Sequence, residues 1–216
     1  MRYYPIFLDI TGKLCVVVGG GAVAERKVGV LLDCGARVEV VADRLTPALE
    51  ALKQEGRIVH HDEAYQARRL SGAFLVIGAT DSGAVNEAVS CDARALGALV
   101  NIVDHPERCG FVLPSVAARG DLVIAVSTSG RSPALAKRLR AELAARYGPE
   151  YDLLTGLLGR LREEVIAAGR PAGENRELFE AVVDSDILEH IRAGRWGEVK
   201  ALIKRLTGVE MEVGPK

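Results

Sequence analysis

The stretch KLCVVVGGGAVAERK, residues 13–27, joins β-forming apolar residues to a helix-like pattern through three glycines. Gly19-x-Gly21-x-x-Ala24 in that setting is the arrangement that seats a dinucleotide pyrophosphate. Gly19 permits the tight turn, Gly21 lets a phosphate approach the backbone, and Ala24 lets the helix pack closely on the sheet; Gly20 stands between them, also without a side chain. The helix that follows offers free N–H groups and a positive dipole end to the phosphates. A glycine pattern alone is a weak signal, because a tight strand–helix turn that binds nothing needs the same residues. A second strand in register downstream is what favours a cofactor.

Other residues join this chemistry. Asp43 follows the apolar run RVEVVA (37–42), where an acid binds the ribose hydroxyls of NAD. Arg44 beside it can accept a 2′-phosphate, but the neighbouring acid would repel that phosphate, so NAD is favoured over NADP. GATD (78–81) ends a later strand, and its small residues suit a wall against the dinucleotide; Thr80 and Asp81 read equally as the cap of the next helix. NIVDHPERCGFVLPS ends the fifth strand on the cofactor's side of the sheet. Asn101 and Asp104 fall where a substrate would sit, with Asp104 as the favoured general base and a turn residue as its plainer reading. His105 reads as a loop histidine. HHDEA (60–64) has the composition of a metal cluster, but adjacent strand residues face opposite ways, so no metal site is expected. Finally, STSGRSPALAKRLR (127–140) sets Ser127, Thr128, Ser129 and Arg131 before a helix capped by Ser132, with Arg138 in its early turns. Such a helix start is a second anion site and points to a polyanionic substrate; an ordinary capped helix with a solvated basic face explains it equally well.

These residues need a scaffold. Strand-like runs at 13–18, 37–42, 57–61, 73–80 and 98–104 alternate with helical patterns, which predicts βαβ units in a Rossmann-like, doubly wound parallel sheet, an α/β fold. Residues 110–130 read instead as two strands around ARGD, a hairpin, followed by a helix from Pro133 that Gly148-Pro149 stops. Beyond residue 150 three helical patterns remain: YDLLTGLLGRLREEVIAAG, NRELFEAVVDSDILEHIRAG and RWGEVKALIKRLTG. The closing VEMEVGPK reads as loose. The expected division is 1–112 for nucleotide binding, 113–148 for dimerisation and substrate binding, and 149–216 for a helical domain.

Composition narrows the classes. The 216 residues are 49% hydrophobic with 28 basic and 29 acidic side chains, which argues against a nucleic-acid binder. No apolar run approaches the roughly 20 residues that span a bilayer, and the N-terminus lacks a cleavable signal pattern, so no membrane partner and a cytoplasmic location are expected. The four cysteines form no CxxC pair and read as small buried hydrophobes.

Together, YPIFLDITGKLCVVVGGGAVAERK, GATD, NIVD, FVLPS and AVSTSGRSPALAKRLR resemble, in order and spacing, the precorrin-2 dehydrogenase / sirohydrochlorin ferrochelatase family, which includes the N-terminal half of bifunctional siroheme synthases. The resemblance covers about residues 3 to 147 and, more loosely, the helical remainder. It implies NAD-dependent oxidation of precorrin-2 to sirohydrochlorin, followed in some members by Fe²⁺ insertion to give siroheme, and a homodimer built through the hairpin and the helix after it. Tetrapyrroles rich in carboxylates are the implied substrates. The family's catalytic aspartate maps onto Asp104, and its cofactor contacts onto Ala22, Val23, Asp43 and Arg44. Thr128 stands where some members have serine. No methyltransferase region is expected after Lys216. Two rival readings remain: an NAD(H)-sensing regulatory module without catalysis, and an NAD enzyme for a small substrate, which would not need the second anion site.

Overall fold

The computed structural model describes residues 2–169 and 171–214. The chain forms two compact units, Met1–Leu113 and Pro114–Lys216.

In the first unit, β1 (Leu14–Val18), β2 (Arg37–Val41), β3 (Ile58–His61), β4 (Leu75–Gly78) and β5 (Leu99–Ile102) form one parallel sheet in the order β3-β2-β1-β4-β5. The central strands β1 and β4 are continuous apolar runs because both faces are covered. Val17, Val38, Val40 and Ile77 pack on the side of α1 (Ala22–Asp33) and α2 (Pro47–Gln54). Val16, Val18, Val76 and Val100 pack on the side of α3 (Gly83–Ala95). The chain reverses its winding between β1 and β4, and the crevice at their carboxyl ends is where doubly wound sheets take their ligands. β4 and β5 are shorter than their apolar runs: Ala79, Thr80 and Asp81 lie just beyond β4, and Val103-Asp104 form a turn after β5. α3 is capped by Ser82, whose hydroxyl accepts the Val85 N–H, so Thr80 and Asp81 are not the cap.

In the second unit, β6 (Ser115–Arg119) and β7 (Leu122–Val126) pair as an antiparallel hairpin. α4 (Pro133–Arg146), α5 (Glu150–Ala167), α6 (Ala172–Val183), α7 (Ile187–Arg192) and α8 (Trp196–Thr207) follow. Leu157, Leu161, Val165, Val182, Ile187, Ile191, Val199 and Ile203 form the core of the helical part. One sequence expectation fails here, the loose tail, and one helical pattern proves to be two helices. NRELFEAVVDSDILEHIRAG is not one helix: Ser185 donates its hydroxyl to Val182 O at 2.6 Å and accepts the Ile187 N–H at 3.4 Å, which breaks the run into α6 and α7. VEMEVGPK is not loose over its described residues, because Val209, Met211 and Val213 pack on the helical core and Lys200 pairs with Glu212 at 2.6 Å. Pro215 and Lys216 lie outside the described residues. Among the described residues no helix is long and apolar enough to cross a membrane.

Candidate active site

The three glycines are needed for three different reasons. Gly19 has φ 123°, and a Cβ there would lie 2.3 Å from Ala79 O. A Cβ on Gly20 would lie 1.9 Å from Arg44 O, and Gly20 O accepts the Thr46 N–H at 3.1 Å. The turn is thus clasped by the two segments expected to wall the cofactor, GATD on one side and Asp43-Arg44 on the other. Gly21 differs, since a Cβ there meets nothing within 4 Å. It caps α1 in an extended conformation without any side-chain bond to the first-turn N–H groups. The start of α1, at Ala22, Val23 and Ala24, therefore presents backbone donors without a side-chain cap, beside space that a phosphate can fill.

Asp43 and Arg44 are both exposed just past β2. Behind them His60 donates from Nε2 to Ala42 O at 2.8 Å, while His61 Nε2 lies 2.7 Å from Glu39 Oε2. The two rings thus have separate partners. Among the described residues no group of three or more His, Cys, Asp or Glu could hold a metal ion.

Asn86, which the sequence reading passed over, organises the GATD turn. It is 4% exposed on the buried face of α3. Its Nδ2 donates to Thr80 O at 2.9 Å, and its Oδ1 accepts from the Thr80 hydroxyl at 2.9 Å. The available signal was a polar residue at a position where helical periodicity calls for an apolar one. Asp81 is exposed at the tip of the turn.

At the end of β5 the expectations divide. Asp104 is exposed and adopts φ 61°, a left-handed conformation rare outside glycine. Asn101 does not face an open cleft. It is buried, and its Nδ2 donates to Phe111 O at 3.1 Å, because its place on the strand turns it toward the returning loop. His105 is partly exposed, with Nδ1 3.0 Å from Glu107 Oε1. Lys27 on α1 is the unforeseen neighbour. Burial holds its pKa below the usual lysine value and Arg26 adds to that, while the charge of Asp104 opposes both. A half-buried cation thus shares the field of the candidate base.

The serine-rich loop lies in the second unit. Ser129 (φ 54°) and Gly130 (φ 80°) turn the chain into α4. The Thr128 hydroxyl donates to Ser132 O and accepts the Ser132 N–H, both at 3.1 Å. Ser127 Oγ accepts the Ser129 N–H at 3.1 Å, and Ser132 Oγ accepts the Leu135 N–H at 3.2 Å. Arg131 is exposed, and Arg138 is bound to Glu142 at 2.8 Å on an exposed face of α4.

Known proteins share this construction. A family model described as "Putative NAD(P)-binding" matches residues 6–115, one for the sirohaem biosynthesis protein central region matches 119–146, and one for the sirohaem synthase dimerisation region matches 150–206. The chain belongs to the sirohaem biosynthesis family that these three models describe. Siroheme synthase of Nitrosospira multiformis is 41% identical over 209 residues, covering 95% of this chain and 44% of that protein. Siroheme synthase of Nitrosococcus oceani is 38% identical over 204 residues, covering 94% of this chain and 44% of that protein. The chain therefore spans less than half the length of these siroheme synthases. A solved structure of "SirC, precorrin-2 dehydrogenase" has the same fold, with a TM-score of 0.81 at 24% identity over 96% of this chain and 100% of that one.

Proposed function

We propose that this chain catalyses the NAD-dependent oxidation of precorrin-2 to sirohydrochlorin in siroheme biosynthesis. The observation that carries the reading is the pairing of an uncapped α1 start at Gly21 with a carboxylate, Asp104, at the end of β5 in the same unit. Oxidation of a ring carbon removes a hydride and a proton. NAD, when bound, accepts the hydride. Asp104 takes the proton as general base. Asp43 favours NAD over NADP through the ribose hydroxyls. Where a divalent ion such as Fe²⁺ is a second substrate, the same carboxylate can take protons that ring nitrogens release on chelation. Residues Ser127, Thr128, Ser129, Arg131, Ser132 and Arg138 meet carboxylates of the tetrapyrrole, and the buried Asn101 serves the site through the loop it anchors. The division into a nucleotide domain (1–112), a dimerisation and substrate segment (113–148) and a helical domain (149–216) goes with this reading. A homodimer is supported by the match of residues 150–206 to a dimerisation region, which lies in the helical domain rather than in the 113–148 segment. Four free cysteines suit a reducing compartment such as the cytoplasm.

The test is turnover. Purified protein mixed with NAD and precorrin-2 should convert the substrate by absorbance, faster than with NADP. Asp104→Asn keeps the shape but cannot accept the proton, so kcat should fall by about 10²–10⁴-fold with NAD binding retained. No turnover despite tight NAD binding would favour a sensing module. Near-normal kcat in the variant would demote Asp104 to a turn residue and make His105 the next candidate.

A further inference from the structure

β5 is an edge strand of the parallel sheet. Leu99 and Val103 direct their N–H groups inward, to Phe74 O at 3.0 Å and Gly78 O at 2.9 Å. The two-residue period then turns the N–H of Ile102 to the open edge. Ile102 is 2% exposed, so water does not serve that group and a protein partner must. Among the described residues no sixth strand supplies it. The partner is Cys109, whose sulfur accepts the Ile102 N–H at 3.2 Å and lies 3.3 Å from Ile102 O and 3.2 Å from His105 O. Asn101 Nδ2 stands 3.5 Å from the same sulfur.

The thiol thus touches the main chain on both sides of Asp104. The rest of the loop is fastened independently: Gly110 N–H donates to Val100 O at 2.8 Å, and Ser90 Oγ donates to Arg108 O at 2.9 Å. Between these anchors Asp104 keeps a left-handed φ of 61°, a conformation that persists only where the surroundings enforce it. Burial pushes the Cys109 thiol pKa up, with the Ile102 backbone bond opposing, so the sulfur stays protonated and can donate to a carbonyl.

We propose that Cys109 is the positioning residue of the Asp104 turn, its thiol standing in for a missing strand and fixing the direction in which the Asp104 carboxylate leaves the sheet. The inference rests on the reading of Asp104 as the base. It makes Cys109 a structural thiol with a catalytic consequence rather than a reactive one.

The experiment uses Cys109→Ala, with Cys109→Val alongside in case the alanine cavity unfolds the unit, and Cys109→Ser as rescue. Kinetics with precorrin-2, NAD binding and residue-resolved amide exchange are measured on each. In Cys109→Ala and Cys109→Val, kcat should fall at least about tenfold, toward the 10²-fold that a misplacement near 1 Å can cost, with NAD affinity unchanged. The Ile102 amide should exchange faster while the Val103 amide stays protected. Cys109→Ser, which keeps a donor and an acceptor, should recover part of both. Wild-type kcat with wild-type Ile102 exchange would overturn the proposal, as would faster exchange spread evenly over all five strands. If the wild-type protein does not turn over precorrin-2, the dehydrogenase reading fails, while the exchange measurement still decides whether Cys109 holds the turn.

Discussion

Two helix starts in this chain look alike in sequence and are built in opposite ways. α1 follows three glycines, and its N-cap, Gly21, places no side chain on the first-turn donors. α4 follows a serine-rich loop, and its N-cap, Ser132, takes the Leu135 N–H onto its own hydroxyl, while Thr128 occupies the Ser132 N–H. Both carry the favourable end of a helix dipole. Only the first leaves its opening turn without a side-chain cap. Hydroxyls near a helix start are therefore not a count of available donors; in the second loop those of Ser127, Thr128 and Ser132 are taken up by the backbone of the loop and of the first turn of α4. An anion reaching α4 must be met by side chains such as Arg131, or must displace bonds the loop already makes.

Glycine substitutions are the largest perturbation of this contrast. Gly20→Ala brings a Cβ within 1.9 Å of Arg44 O, a backbone atom that cannot swing aside. The turn or the Asp43–Thr46 segment must move, at a cost of about 1–3 kcal/mol or more, measurable as a lower urea midpoint. Gly21→Ala meets no protein atom within 4 Å. Its stability should change by about 1 kcal/mol or less, but NAD affinity should drop because the methyl group enters the space assigned to phosphate. Wild-type NAD affinity in Gly21→Ala would show that the pyrophosphate does not lie over that residue.

The parallel sheet was legible because its central strands, β1 and β4, are buried on both faces and so appear as unbroken apolar runs, with the other strands spaced around them by helical patterns. The helix starts were legible where one residue carries the cap, as with Thr46 before Pro47 and Ser132 before Pro133. What sequence missed depends on contacts between distant residues. Asn86 reads as an interruption of an apolar face until the GATD turn is seen folded over it. Asn101 reads as a polar residue at a strand's carboxyl end, yet its amide is directed to Phe111 by a loop whose path no periodicity encodes. Cys109 reads as a small hydrophobe, and its bonding to Ile102 follows only from β5 being an edge. The break between α6 and α7 hangs on one serine hydroxyl, a local competition that helical propensity over the same window does not register.

The capping half of the comparison gives a smaller effect. Ser132→Ala removes the acceptor of the Leu135 N–H and should cost about 1 kcal/mol, read from chemical unfolding of the full chain. Thr128→Val keeps the shape and removes both bonds to Ser132, at about 0.5–1.5 kcal/mol for each bond lost. Thr128→Ser retains the hydroxyl and should be close to neutral. A serine variant as damaging as valine would mean that the threonine methyl group, not the hydroxyl ring, holds the loop.

Arg138 should give the smallest change and decides how the second helix start meets an anion. Its Nε binds Glu142 at 2.8 Å, with the two side chains 77% and 54% exposed. An exposed pair of this kind is worth a few tenths of a kcal/mol, and arginine preceding the acid is the weaker order on a helix, so Arg138→Ala should barely alter stability. The kinetic expectation is different. If a substrate carboxylate recruits this guanidinium, it competes with Glu142. Arg138→Ala should then raise KM for the tetrapyrrole about two- to fivefold, the scale of one exposed ion pair. Glu142→Ala should act in the opposite direction, lowering KM by releasing the arginine. NAD affinity should be unchanged in both, and both effects should shrink as salt is added, because exposed charges are screened. Opposed shifts in the two variants identify Arg138 as a substrate contact; an unchanged KM in both assigns it to the solvated face of α4 and leaves Arg131 as the cation beside the loop.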